Sequence, residues 1–150
     1  MPYSSNTDLL KQFDSAELAK LTGDETGTTV DTDRTDNARD IADATIDSYL
    51  YGIYDVPLPG TDPIVKKLSV DLTIYYLYSM EYKDYPLPED IIIRRNYALN
   101  LLKDIKEGEL TLATEEDSLL QKDGILRQES TPNRIFNDDV LDNFFGGGYE

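Results

Sequence analysis

The chain has 150 residues, which suits one compact domain with room for a tail, and a formal net charge of −16. It contains neither cysteine nor histidine, which excludes disulfides, thiolate nucleophiles, zinc centres of the Cys/His kind and Ser-His-Asp triads. So acidic a chain is a poor partner for a nucleic-acid backbone, and no apolar run approaches the roughly 20 residues that span a bilayer.

The start, MPYSSNTDLLKQF, has no basic region leading into an apolar stretch, so no signal peptide is expected. Asp8 to Leu21 reads as two short helical pieces, the first capped by Thr7 and the second by Asp14 or Ser15. Leu9, Leu10, Phe13, Leu18 and Leu21 recur near helical spacing. The stretch from Gly23 to Asp36 is rich in Gly, Thr and Asp and reads as a loop. A helix is expected from about Asp36, with Ala38, Ile41, Ala42, Thr45, Ile46, Tyr49 and Leu50 on one face and an end near Gly52. Asp55 to Pro59 is expected to be extended, because residues before proline avoid helical angles.

Thr61-Asp62-Pro63 is a helix start, a capping side chain followed by proline. The helix runs to about Tyr82, with Ile64, Val65, Leu68, Leu72, Tyr75 and Tyr76 buried. Its segment LTIYYLYSMEY is apolar almost all round, which puts it at the bundle centre or against a partner. Tyr85-Pro86-Leu87-Pro88 breaks the chain. A further helix runs from Pro88 or Glu89 to Glu107, with Ile91, Ala98, Leu101, Leu102 and Ile105 on its face and Gly108 as its stop. Residues 1–112 therefore read as an all-α bundle of four to five helices, ending in a short extended Glu109–Leu112. Residues 113–150 are polar and acidic with scattered aromatics, an extended or partly disordered tail expected to order on a partner. At about 3.3 Å per residue the tail can reach on the order of 125 Å.

No catalytic or cofactor-binding constellation stands out. DTDRTD offers alternate acids, but Thr35, Asp36 and Ala42 occupy positions where a calcium loop needs a ligand, a glycine and a glutamate. It reads as a solvated loop with a helix cap, and no metal is expected. The 30 acidic residues show no spacing that marks an acid–base pair. Lys66-Lys67, Arg94-Arg95 and Lys103 are the main basic spots, better suited to an acidic neighbouring copy than to nucleic acid. Gly146-Gly147-Gly148 opens no helix and so makes no phosphate loop. Eleven tyrosines stand against no tryptophan. Tyr49, Tyr75 and Tyr76 are assigned to the core. Tyr51, Tyr54, Tyr78, Tyr82 and Tyr85 cannot all share it and are assigned to an interface, where tyrosine brings area at low entropy cost.

The run ATIDSYLYGIYDVPLPGTDPIVKKLSVDLTIYYLY resembles the Mu-like phage and prophage family of small head-completion proteins, regarded as head–tail connectors or adaptors. Ile46, Asp47, Tyr49, Leu50, Tyr54, Pro57, Leu58 and Pro59 match that family's helix end and P-L-P turn. Pro63, Leu68, Asp71, Leu72, Tyr75, Tyr76 and Tyr78 match its next helix, and NYALNLLKDIKEGELTL resembles its last. The ending NRIFNDDVLDNF is similar too, with Arg134, Phe136, Leu141 and Phe144 in register, although Asp138 stands where members often carry a basic residue. The loop GDETGTTVDTDRTD is longer and more polar than usual.

The resemblance implies a non-enzymatic virion protein, present in the host cytoplasm before assembly. It implies a ring of copies between portal and tail-completion proteins, through which DNA passes without sequence-specific recognition. Arg134, Phe136, Leu141, Phe144 and Phe145 join the tyrosines as candidate interface residues. Two rivals remain: an acidic decoy that imitates DNA and binds a host DNA-binding protein, and a hydrolase using two carboxylates. The acids are spread over loops, helix surfaces and tail, which fits a connector at least as well as a decoy.

Overall fold

A computed structural model describes residues 2–59 and 62–113. They form α1 (Asn6–Leu10), α2 (Ser15–Leu21), α3 (Thr32–Leu50), α4 (Pro63–Glu81) and α5 (Glu89–Glu107). The described residues are all-helical, as the periodicity predicts; their sole β feature is an isolated bridge between Tyr51 and Tyr54. The tail begins at the edge of the described residues and otherwise lies outside them, as does Thr61.

Each long helix starts and stops for a local reason. The Asp31 carboxylate accepts the Asp33 and Arg34 N–H groups at 3.0 and 3.2 Å, and α3 begins at Thr32, not near Asp36. The first turn is polar except that Thr35 is buried, its hydroxyl donating to the Asp31 carbonyl. Such a turn has no apolar period for the sequence to display. Asp62 caps α4 by accepting from the Ile64 N–H at 2.7 Å, with Pro63 in the first turn. Gly108 ends α5 in the left-handed region at φ +80°.

α1 starts two residues earlier than expected. Ser5, not Thr7, is its cap, and the Asp8 carboxylate accepts the Ser5 N–H in return at 3.0 Å. Asp14 holds the cap position of α2 without a side-chain hydrogen bond.

α4 lies at the centre and touches all four other helices. One side of it packs Val65, Leu68 and Leu72 against Ala42, Ile46 and Leu50 of α3 and Ala98, Leu102 and Ile105 of α5. The other packs Val70, Ile74 and Leu77 against Leu9, Leu18, Leu21, Ala38 and Ile91. Two cores on one helix explain why its sequence is apolar almost all round. α3 buries a narrow stripe at Ala38, Ala42, Ile46 and Leu50. Ile41 lies beside that stripe and is exposed, as is Leu10, contrary to the periodicity of each helix. Tyr49, Tyr75 and Tyr76 are half-buried at the core edge.

Candidate protein-interaction surface

The five tyrosines assigned to an interface divide in two. Tyr51 and Tyr85 stand out at 77% and 74% exposure, and Tyr82 is also exposed. Tyr54 and Tyr78 are core residues, 2% and 7% exposed, and the assignment of these two to the surface is corrected. Gly52, at φ +89°, lets the chain turn back after α3 so that Tyr54 points inward. Its hydroxyl accepts the Leu112 N–H at 3.1 Å. Tyr78 donates to Glu17 Oε1 at 2.8 Å, and its ring meets Phe13 edge-on and stacks on Tyr82. Burial, and then the Glu17 hydrogen bond, push the Tyr78 phenol well above its ordinary pKa. Arg134, Phe136, Leu141, Phe144 and Phe145 lie outside the described residues.

α5 adds a surface that the helical periodicity does not announce. Ile92, Ile93 and Tyr97 are exposed on its outer side. The signal is present in Ile91-Ile92-Ile93. At about 100° per residue, three consecutive isoleucines cannot all face one core, and only Ile91 does.

Beside Ile93 and Tyr97 lies a hollow of about 310 Å³, also lined by Gln12, Lys67, Asp71 and Arg94. Asp71 sits at 2% side-chain exposure, with Lys67 Nζ 2.6 Å from one of its oxygens and an Arg94 nitrogen 3.6 Å from the other. Both cations are substantially exposed. Lys67 also lies 5.5 Å from the centre of the Tyr97 ring, and Arg94 lies 5.7 Å from that of Phe13. One carboxylate shared by two cations leaves one positive charge at the hollow uncompensated.

The acids that drew attention in DTDRTD have separate duties. Asp31 caps α3, Asp36 pairs with Arg39 and Asp33 is exposed. Among the described residues no group of three or more acids is placed to hold a metal ion. Asp24 instead organises this loop. It accepts the N–H groups of Thr26, Thr28 and Thr29 at 2.9, 3.1 and 2.7 Å and the hydroxyls of Thr26 and Thr28. Those bonds, the Thr26 hydroxyl first, hold its pKa well below the usual carboxylate range.

A polar network secures the N-terminal segment to α3 and α4. Asp43 accepts the Tyr3 N–H at 3.0 Å and the Ser69 hydroxyl at 2.6 Å, and the Ser4 and Ser69 hydroxyls are 2.8 Å apart. The Tyr3 hydroxyl donates to Asp47 and accepts the Leu58 N–H at 3.0 Å. Burial raises the pKa of Asp43 against the lowering effect of these hydrogen bonds. Burial, reinforced by the Asp47 hydrogen bond, also raises that of Tyr3.

A family model described as Bacteriophage Mu, Gp36 matches residues 3–125, which take in all five helices. No curated protein matches the chain. None of the described helices is long and apolar enough to cross a membrane.

Proposed function

The chain belongs to the bacteriophage Mu Gp36 family, and from that premise we propose that it is a structural protein of the phage particle, a head–tail connector. Copies form a ring that joins the portal to the tail-completion proteins. The protein waits in the host cytoplasm and ends in the virion, with no cofactor and no catalytic step. The family match carries this reading, since it spans the bundle from end to end.

Two physical features agree with it. The net charge of −16 gives a ring lumen that repels the DNA backbone and lets DNA slide rather than stick. Tyr51, Tyr82, Tyr85, Ile93 and Tyr97 give the subunit exposed anchors of the kind that stabilise interfaces. The tail, with Arg134, Phe136, Leu141, Phe144 and Phe145, is the segment that orders on a neighbouring subunit or on the portal.

The test is capture of the tagged chain from cells in which its phage or prophage has been induced. Portal, capsid or tail proteins are expected among the bound proteins. A host DNA-binding enzyme without any virion protein would overturn the connector in favour of the acidic decoy. Truncation after Ala113 is expected to block particle assembly while leaving the bundle folded. Normal particles from that truncated chain would remove the role assigned to the tail.

A further inference from the structure

The described surface carries a concave cationic feature and a convex acidic one. The concave one is the hollow between α4, α5 and the α1–α2 link at Gln12, with Ile93 and Tyr97 as apolar wall and Lys67 and Arg94 as its cations. Asp71 beneath them supplies one negative charge for two positive ones. Its volume of about 310 Å³ is at the small end of the range for ligand pockets, a size for one aromatic side chain.

The convex feature is the turn after α3. Tyr51 at its apex is 77% exposed, the most exposed large hydrophobic side chain among the described residues. From Asp40 to Asp62 the sequence holds Asp40, Asp43, Asp47, Asp55 and Asp62 and no lysine or arginine. Asp40 and Asp55 are exposed, and Asp47 is half-buried. Tyr85 is nearly as exposed but lies two residues from Lys83; near Tyr51 the Lys106 ammonium lies 5.7 Å from the centre of the Tyr49 ring, and the acidic character of the turn rests on Asp47 and Asp55. Tyr51 does not line the hollow of its own chain.

We propose that Tyr51 of one copy seats in the Lys67–Ile93–Arg94–Tyr97 hollow of a second copy. The tyrosine ring packs on Ile93 and Tyr97. The acidic turn around it takes up the positive charge that Asp71 leaves uncompensated. Burying one tyrosine in a pocket rimmed by opposite charge is the pattern of an interface anchor. Knob and hollow belong to different elements, so a single one-way contact leaves one free knob and one free hollow on the pair. One-way exchange propagates into a closed ring or an open filament, whereas reciprocal exchange of both knobs would close a two-fold dimer. The inference rests on the connector reading only for closure into a ring; the pairing stands on shape and charge.

The experiment places photoreactive benzoylphenylalanine at position 51 of the full chain, which keeps an aromatic ring there. Unlabelled and ¹⁵N-labelled copies are mixed at about 1 mM, where even a millimolar contact is substantially populated, then irradiated and mapped by mass spectrometry. Mixed-isotope cross-links to the hollow, in the peptides holding Lys67 or Ile93 to Tyr97, are expected. Ile93→Arg, at a solvent-facing position, is expected to lower their yield about tenfold, the equivalent of roughly 1.4 kcal/mol, with its melting curve unchanged. Salt at about 0.5 M, which shortens the screening length to a few ångströms, is expected to lower the yield severalfold. Cross-links to another surface, cross-links confined to one isotope, none at all, or indifference to Ile93→Arg would each overturn the pairing. If cross-links fail while virion proteins are captured, this contact is wrong and the connector reading survives. Cross-links to the hollow without capture of virion proteins would uphold the contact and remove the connector.

Discussion

Asp24 gathers three backbone N–H groups and two threonine hydroxyls onto one side chain, and its ionised form is what accepts them. Its folded pKa is depressed, so its contribution to stability is present above the ordinary carboxylate range and is lost as pH falls through the folded value. Asp8 behaves alike: the Ser5 hydroxyl and N–H hold it at about 2. Asp43 has the opposite sign, because burial raises it. Its contribution favours the folded state at low pH and is lost as pH rises from the ordinary carboxylate range through the raised value. Asp24→Ala is expected to speed hydrogen exchange at Thr26, Thr28 and Thr29 while leaving α4 amides protected, as NMR would read. At Asp71 the expectation concerns the cations. Lys67→Met with Arg94→Met strands a buried carboxylate. The cost in urea unfolding is expected to be about 2 kcal/mol, below the roughly 3–5 of a fully buried pair because both cations are partly in water. None of these roles was legible from composition. An aspartate that nucleates a turn and one that is solvated look alike until the backbone places donors around it, and Tyr54 and Tyr51 likewise differ only in which way the chain turns at Gly52.

At the element scale the sequence was more informative, because caps and breakers act locally. Pro63 and Gly108 mark one end each of α4 and α5, and both bounds fall where the chemistry places them. The start of α3 does not, since Asp31 offers the same capping chemistry as Asp36 and Thr35 hides its burial behind a hydroxyl. Gly108→Ala tests the cap. A methyl group there would meet nothing within 4 Å, so the whole penalty is the left-handed backbone. It is expected to be about 1 kcal/mol, with faster hydrogen exchange confined to the last turn of α5. Asp62 has two duties. One oxygen caps α4 at Ile64, and the other accepts the Ala113 N–H at 3.0 Å. Asp62→Ala is expected to cost about 2 kcal/mol in chemical denaturation. Asp62→Asn, keeping one acceptor, should lose about half as much.

For the whole molecule, charge and topology pull in different directions. A net charge of −16 on this small chain means self-repulsion, so salt should raise the melting temperature of the free chain, by roughly 2–5 °C between low and about 0.5 M salt. A subunit contact held by opposite charges would weaken over the same range. Calorimetry on dilute and concentrated samples separates the two, and a melting temperature independent of salt at low concentration would refute the repulsion. The bundle itself was legible, because apolar residues all round α4 called for a central place or a partner, and the structure shows the central place. The exposed surface was half legible: tyrosine abundance meant that some rings must be displayed, but burial alone decided that Tyr51 and Tyr85 are displayed while Tyr54 and Tyr78 are not. The exit from the bundle has a mechanical meaning. Leu112 is held by the Tyr54 hydroxyl and Ala113 by Asp62, at the foot of α4. Tension arriving along the chain beyond Ala113 would therefore load two hydrogen bonds and the core packing of Leu112 before it reaches any helix. They would yield first, releasing the stretch after Gly108 as slack of about 3.3 Å per residue. Were the chain beyond Ala113 pulled, the junction would yield as a fuse does, before α4 or α5.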